Sequence, residues 1–381
     1  MNNLYIFNPT KTDQVSQFRG GGRIIQILKE NLTVETPRRG VSTIKFVTNL
    51  SSVLSHPSSI FINPSFSPFQ PPLTLKRIAE KQIQIVFDVI PLKYPNHFPT
   101  GIKGKFNLFL NKLALKNYDK IITISNHSKK DIVQYLKIPE SKIEVVYPTL
   151  GKIFTSNVIL NSFQDLNKMP KQVRIEQYNN ITIPQNFCLY VGDVNWNKNL
   201  VNLARAIKII NVTCVFVGKA FESLKVKKLK SSTKKPSNLQ TFKPSNFIHP
   251  WQKEFRDFLT EVGDDKRFIF LGYVPDSQLI KLYQQARLNV LTSRDEGFGF
   301  SFLEAASQSC PSVLSDIEVF HEIAGSSAAF VNPDDPHDIA NKICEIYFNN
   351  DLRNKLGKMA KERSLFFSKD KFKRDFLKAI M

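Results

Sequence analysis

The feature that most constrains this chain is a rhythm of short apolar runs separated by helical patterns, which breaks once and then resumes. In the first half, LYIFN (4–8), TIKFVTN (43–49), SIFIN (59–63), IQIVFDVI (83–90), KIITIS (120–125) and KIEVVYP (142–148) read as strands, being rich in Ile, Val and Phe. Between them RIIQILKENL (23–32), KFNLFLNKLALKNY (105–118) and HSKKDIVQYLK (127–137) carry apolar residues at helical spacing. Strands apolar at nearly every position, with helices between them, imply a parallel sheet covered on both faces.

Residues 151–186 break the rhythm: they are polar, rich in Asn and Gln, carry Pro170 and Pro184, and read as an interdomain connection. The pattern restarts with FCLYVGD (187–193), TCVFVGK (213–219), RFIFLGY (267–273), LNVLTS (288–293), SVLSD (312–316) and AAFVN (328–332). Helical runs NLVNLARAIKII, PWQKEFRDFLTEV and DSQLIKLYQQA lie between these strands, and DIANKICEIYF (338–348) and KDKFKRDFLKAIM (369–381) end the chain. The expected fold class is therefore α/β, with two doubly wound, Rossmann-like domains facing a central cleft. Residues 1–180 form the first and 181–364 the second, with helix 365–381 expected to pack back on the first. No short fixed repeat is present, which excludes a solenoid. Ligands of open α/β sheets bind beyond the carboxyl ends of the strands, so chemistry is expected on the loops that follow them.

At 381 residues and 42% hydrophobic, the chain suffices for two packed cores. No stretch approaches the roughly 20 apolar residues that cross a bilayer. MNNLYIFNPT lacks the basic start and apolar run of a secretion signal, so a cytoplasmic location is expected. Cys188, Cys214, Cys310 and Cys344 stand far apart without a CxxC pair and read as buried free thiols. The formal charge of +20 favours anionic partners. Seven lysines and no acid lie in 223–245, which is either a solvated loop or a patch for an anionic membrane surface. A nucleic-acid partner is not expected, since no RNA or DNA module is recognisable and the lysines lack interleaved aromatics.

The most informative loop is TSRDEGFGFSFLEAASQ (292–308), which follows a strand and opens a helix near Ser301 or Phe302. Gly297 and Gly299 let backbone approach a ligand, and the N–H groups of the helix start can receive a phosphate oxygen. Glu296 in the loop and Glu304 one turn into the helix can grip two parts of one ligand. In LYVGDVNWNKNL (189–200), Gly192 again permits close approach and Lys198 follows it. FRGGGRIIQILKEN (18–31) carries Gly20, Gly21 and Gly22 before a helix, either a flexible turn or a phosphate-facing loop; the G-x-G-x-x-G spacing is absent. In VFDVIPLKYPNHFP (86–99), Asp88 either orients a substrate hydroxyl or caps a turn, and His97 is either a candidate base or an ordinary loop histidine.

These segments resemble retaining glycosyltransferases of family 4, whose E-x7-E signature is matched by EGFGFSFLE. LGYVPDSQLIKLYQQARLNVLTSRDEGFGFSFLEAASQSCPSVLSDIEVFHEIAG resembles that family's donor domain, and YDKIITISNHSKKDIVQYLKIPESKIEVVYP resembles the end of its acceptor domain. The most similar subgroup comprises bacterial mannosyl- and rhamnosyltransferases that build surface polysaccharides. The resemblance implies a GT-B fold and a sugar transfer from a nucleotide diphosphate donor with retention of configuration. It implies Glu304 on the ribose hydroxyls, and Glu296 on donor-sugar hydroxyls beside the backbone of Gly297, Phe298, Gly299 and Phe300. Lys198 would neutralise the diphosphate near Gly192. Gly21, Gly22, Arg23, Tyr273 and Val274 complete the donor side, and Asp88 joins Glu296 and Lys198 in catalysis.

Two positions depart from the family pattern: Phe87 replaces a histidine, and Asp193 stands where an arginine is usual, for which Arg294 is the expected substitute. No DxD follows a strand, so metal ligands are not expected and activity should survive EDTA. No cofactor is implied, because the nucleotide sugar (GDP-mannose first, then dTDP-rhamnose or a UDP-sugar) is a substrate. The acceptor would be a glycan or a lipid-linked molecule. Alternatives are a nucleotide-sugar epimerase of the same fold, a basic nucleic-acid-binding protein, and an inactive scaffold.

Overall fold

The structure, a computed structural model, describes residues 2–9, 20–32, 41–56, 58–155, 173–174, 182–224 and 249–381. The glycine loop before Gly20, most of 151–186 and nearly all of the basic segment 223–245 lie outside these residues. The chain divides into two compact units, one of residues 1–152 and 366–381, the other of residues 153–365.

The first unit holds β1 (Asn2–Phe7), β2 (Val41–Val47), β3 (Ser59–Asn63), β4 (Lys81–Ile85), β5 (Lys120–Thr123) and β6 (Ile143–Val145). They form one sheet in the order β2-β1-β3-β4-β5-β6, parallel throughout. All of β3 is buried, which is why SIFIN reads apolar without alternation. Val86, Leu115, Ile121, Ile132 and Ile143 form one core cluster, and Tyr5, Val47, Val53 and Phe61 another.

Two expected elements are cut short. The strand expected at 83–90 ends at Ile85, and Ile90–Lys93 turns into a helix with Pro near its start, where a missing N–H costs nothing. The helix expected at 127–137 is α-helical only over Asn126–Asp131, continues as a π-turn over Ile132–Leu136, and stops at left-handed Lys137.

The second unit begins with a short antiparallel ladder, β7 (Val173–Arg174) on β8 (Thr182–Ile183). Its main strands are β9 (Cys188–Val191), β10 (Cys214–Val217), β11 (Phe268–Gly272), β12 (Leu288–Leu291), β13 (Ser312–Ser315) and β14 (Ala329–Val331). They pair in parallel in the order β11-β10-β9-β12-β13-β14. The chain starts in the middle, runs outward to β11, and returns to β12 beside β9. The topological switch point, where such sheets bind ligands, therefore lies beyond the carboxyl ends of β9 and β12. An aromatic core stiffens this end: Phe216 packs on Tyr190, Phe221, Phe258 and Phe270 at centroid distances of 5.6, 5.7, 5.3 and 5.4 Å. Each such pair contributes about 0.5–1.5 kcal/mol beyond its area.

Cys188, Cys214 and Cys310 are buried and all four cysteines are free. Burial pushes the Cys310 thiol up to about 12 and raises Cys188 and Cys214 further, so these sulfurs are inert packing atoms.

Helices Pro336–Phe348 and Asn350–Ser364 end the second unit. Helix Lys369–Ile380 belongs to the first, where Phe372, Phe376 and Ile380 are buried and Lys120 Nζ donates to Ala379 O at 3.0 Å. Among the described residues no helix is long and apolar enough to cross a membrane.

Candidate functional site

The loop after β9 and the loop after β12 are fastened to each other by side chains that donate to backbone. Asn197 Nδ2 donates to Asp295 O at 3.0 Å, and Asn199 Nδ2 donates to Thr292 O at 2.9 Å. Asn199 adopts φ 57°, a left-handed turn that Asn tolerates, and this ends the 3-10 turn Trp196–Lys198. Arg294 donates from its backbone to Asn197 O at 2.7 Å and from Nη1 to Trp196 O at 2.7 Å. Its guanidinium lies 5.0 Å from the Trp196 ring and 3.3 Å from Glu254. Arg294 is thus engaged in bracing the loops, whereas the sequence suggested it as a substitute phosphate ligand. Burial raises the Glu254 carboxyl, and Arg294 offsets part of that rise.

Held this way, Lys198 Nζ donates to Glu296 Oε1 at 2.6 Å, although 98 residues separate them. Ser293 Oγ donates to the same oxygen at 2.7 Å. Both charged side chains are mostly buried, at 18% and 10% exposure. A pair this desolvated is weak evidence for stability, because losing hydration costs each ion several kcal/mol. Beneath it lies Tyr190, whose hydroxyl donates to Asp193 O at 2.6 Å. Burial pushes that phenol well above its ordinary value, and the neighbouring Glu296 carboxylate adds to the effect.

Gly192 permits this packing, since a Cβ there would meet the Tyr190 hydroxyl at 2.7 Å. Gly218, which the sequence reading passed over, lies against Gly192: its Cβ would meet Gly192 O at 2.1 Å.

Beyond Glu296 the chain turns through buried Gly297 and Phe298 to Gly299 and enters the helix Phe300–Ser307. Gly299 has φ 97°, and a Cβ would meet the buried Phe320 ring at 2.8 Å. Gly299→Ala should cost about 1–3 kcal/mol of stability, read as a lower denaturation midpoint in urea. An unchanged midpoint would show that the loop is not held in this conformation. Glu304, 2% exposed, lies one turn into the helix and accepts from the Tyr283 hydroxyl at 3.0 Å. Ser301 Oγ, at the helix start, is buried with no hydrogen-bond partner among the described residues. Val274 is buried after β11, and half-exposed Tyr273 donates its backbone N–H to Glu222 Oε2 at 2.9 Å.

In the first unit, Gly20, Gly21 and Gly22 form the first turn of the helix Gly20–Leu32, not a loop ahead of it, and Arg23 follows on that helix, half-buried. Asp88 Oδ1 accepts from Ile90 N at 3.2 Å, capping the turn. A polar cluster unmarked by sequence lies nearby in the chain: Lys93 Nζ is 3.2 Å from Asp131 Oδ2 and 3.4 Å from His127 Nε2. Tyr283, Ser293, Asn197 and Asn199 were likewise unmarked, because nothing along the chain says which carboxylate or carbonyl each will meet.

Residues 174–363, the stretch that contains β9 to β14, match the family described as glycosyl transferases group 1. These residues form a domain of that family. It is 27% identical over 262 residues to the O-antigen chain mannosyltransferase RfbU of Salmonella typhimurium, covering 68% of this chain and 58% of RfbU. It is 24% identical over 265 residues to the serotype-specific mannosyltransferase WbdA of Escherichia coli, covering 68% of this chain and 28% of WbdA. The chain therefore spans less than two thirds of either relative's length. The fold of Anabaena HepE, solved in complex with UDP-glucose, is similar at a TM-score of 0.64 and 15% identity, over 99% of both chains. With two parallel α/β sheets in the orders described, the group 1 fold here is GT-B.

Proposed function

We propose that this chain is a retaining, metal-independent hexosyltransferase that moves a sugar, mannose first, from a nucleotide diphosphate onto a glycan or lipid-linked acceptor of a surface polysaccharide. The observation that carries the reading is the Lys198–Glu296 pair, 2.6 Å long and mostly buried at a sheet switch point. A sugar diphosphate replaces this pair with better partners. Its phosphates take Lys198, and its sugar hydroxyls take Glu296 through charged hydrogen bonds.

In the reaction the bond from the anomeric carbon to the diphosphate oxygen breaks, and the electron pair leaves with the phosphate. Lys198 neutralises that growing charge, assisted by the N–H groups at the start of Phe300–Ser307. Glu296 holds the sugar while positive charge builds at the anomeric carbon. The acceptor hydroxyl attacks from the face the diphosphate leaves, giving its proton to the departing phosphate. Glu304, fixed by Tyr283, takes the ribose hydroxyls. Mannose and a GDP donor are favoured because the similar O-antigen enzymes are named mannosyltransferases. Peripheral attachment to an anionic membrane surface belongs to the same reading, motivated by the +20 charge.

Thermal denaturation with a panel of nucleotide sugars tests the donor. A ligand at 100 times its Kd should stabilise the fold by about 2.7 kcal/mol, with GDP-mannose giving the largest shift. Transfer to acceptor, unchanged by EDTA, is the expected activity. Isomerised donor without transfer would mark an epimerase, and loss of activity in EDTA would overturn metal independence.

A further inference from the structure

The helix Ile102–Leu115 leaves a row of large apolar side chains exposed. Its inward face carries Asn107 and Asn111 beside Ala114 and Leu115, all buried. Asn111 Nδ2 donates to Gln70 O at 2.8 Å and Asn107 Nδ2 to Phe69 O at 3.0 Å, so the helix is fastened to the 67–70 loop by amides. Its outward face carries Ile102, Phe106, Phe109 and Leu113, exposed by 90%, 58%, 56% and 38%. Spaced four, three and four residues apart, they fall in one stripe at about 100° per residue. Exposed Lys103, Lys105, Lys112 and Lys116 border that stripe.

A helix that packs inward through Ala114 and Leu115 ordinarily takes its phenylalanines with them, and this one leaves Phe106 and Phe109 outside while burying two amides. Four large apolar groups in a row exceed the scattered exposure normal on a protein surface and mark an interaction site. We propose that this stripe is where the first unit docks onto an anionic lipid bilayer, with the helix in the plane of the headgroups. The apolar side chains enter the acyl boundary, while the lysines reach back to the phosphates. At 14 residues the helix is too short to span. A second copy of the chain fits less well, because pairing two such stripes brings their lysine rows together. A surface of anionic phosphates removes that repulsion.

This deepens the membrane attachment read above and rests on it. The test is co-sedimentation of the full chain with vesicles of phosphatidylcholine alone, and of an equal mixture with phosphatidylglycerol. The parent should partition onto the anionic vesicles, less so at high salt. The double variant Phe106→Ser, Phe109→Ser should partition at least about tenfold more weakly. Because both side chains are exposed, its thermal midpoint and its shift with nucleotide sugar should match the parent. Equal partitioning of parent and variant would overturn the proposal, as would a parent that ignores the vesicles. It would also be overturned by a parent dimer that the variant dissolves without any change in vesicle binding. Docking without any nucleotide-sugar shift would leave the surface standing and remove the donor-site reading.

Discussion

Glu296→Ala and Lys198→Ala should each lower sugar transfer by about 10²–10³-fold, the loss typical of removing one preorganised group that faces developing charge. The two should not be additive. Their atoms meet at 2.6 Å, and each positions the other when no donor is bound. The double variant should therefore lose little more than the worse single one, as for residues that act as a unit. The split between constants differs between the two. Lys198→Ala raises KM and lowers kcat, because diphosphate charge is present in the bound donor and grows as it leaves. Glu296→Ala acts chiefly on kcat. Steady-state kinetics on all four proteins would show this, and a Glu296→Ala enzyme as active as the parent removes Glu296 from the mechanism. Ser293 still donates to Glu296 in Lys198→Ala, so that carboxylate is not left bare and folding is expected to survive.

Glu304→Gln should weaken every nucleotide sugar by roughly 10- to 100-fold, since a hydrogen bond to a charged group contributes about 1.5–3 kcal/mol. Glutamine is the informative substitution, because its amide oxygen can still accept from Tyr283 while the charge is gone. Alanine would combine a lost ligand contact with an unpartnered buried phenol. The readout is Kd for free nucleotide and for nucleotide sugar, which should rise together because the ribose is common to both. A Glu304→Gln enzyme that binds GDP as tightly as the parent would place the ribose elsewhere.

Much of the architecture was legible along the chain. Runs such as SIFIN and FCLYV are apolar at successive positions because a parallel sheet is covered on both faces, and that pattern survives in sequence as composition. The elements that escaped were those whose contacts do not write a periodic signal. Asn350–Ser364 is polar over most of its surface and approaches the rest of its unit through Gly357, where a Cβ would meet Ser309 O at 2.3 Å, and through Ala360. Small residues permit close approach without an apolar stripe. IQIVFDVI reads as strand five residues past its end at Ile85, because propensity does not reveal where Asp88 and Pro91 bend the backbone.

By itself the sequence determined most of the elements, their parallel arrangement and the two loops after β9 and β12 that carry the candidate chemistry. Each of these depends on residues close together in the chain, where period and glycine placement act locally. Only the tertiary structure decided that Lys198 reaches Glu296, that Tyr283 holds Glu304, and that Arg294 is engaged by Trp196 and Glu254. It also decided that Ile102–Leu115 turns its amides inward. Side-chain spacing fixes which residues share a face. What that face meets depends on which distant segments the folded sheet brings beside it.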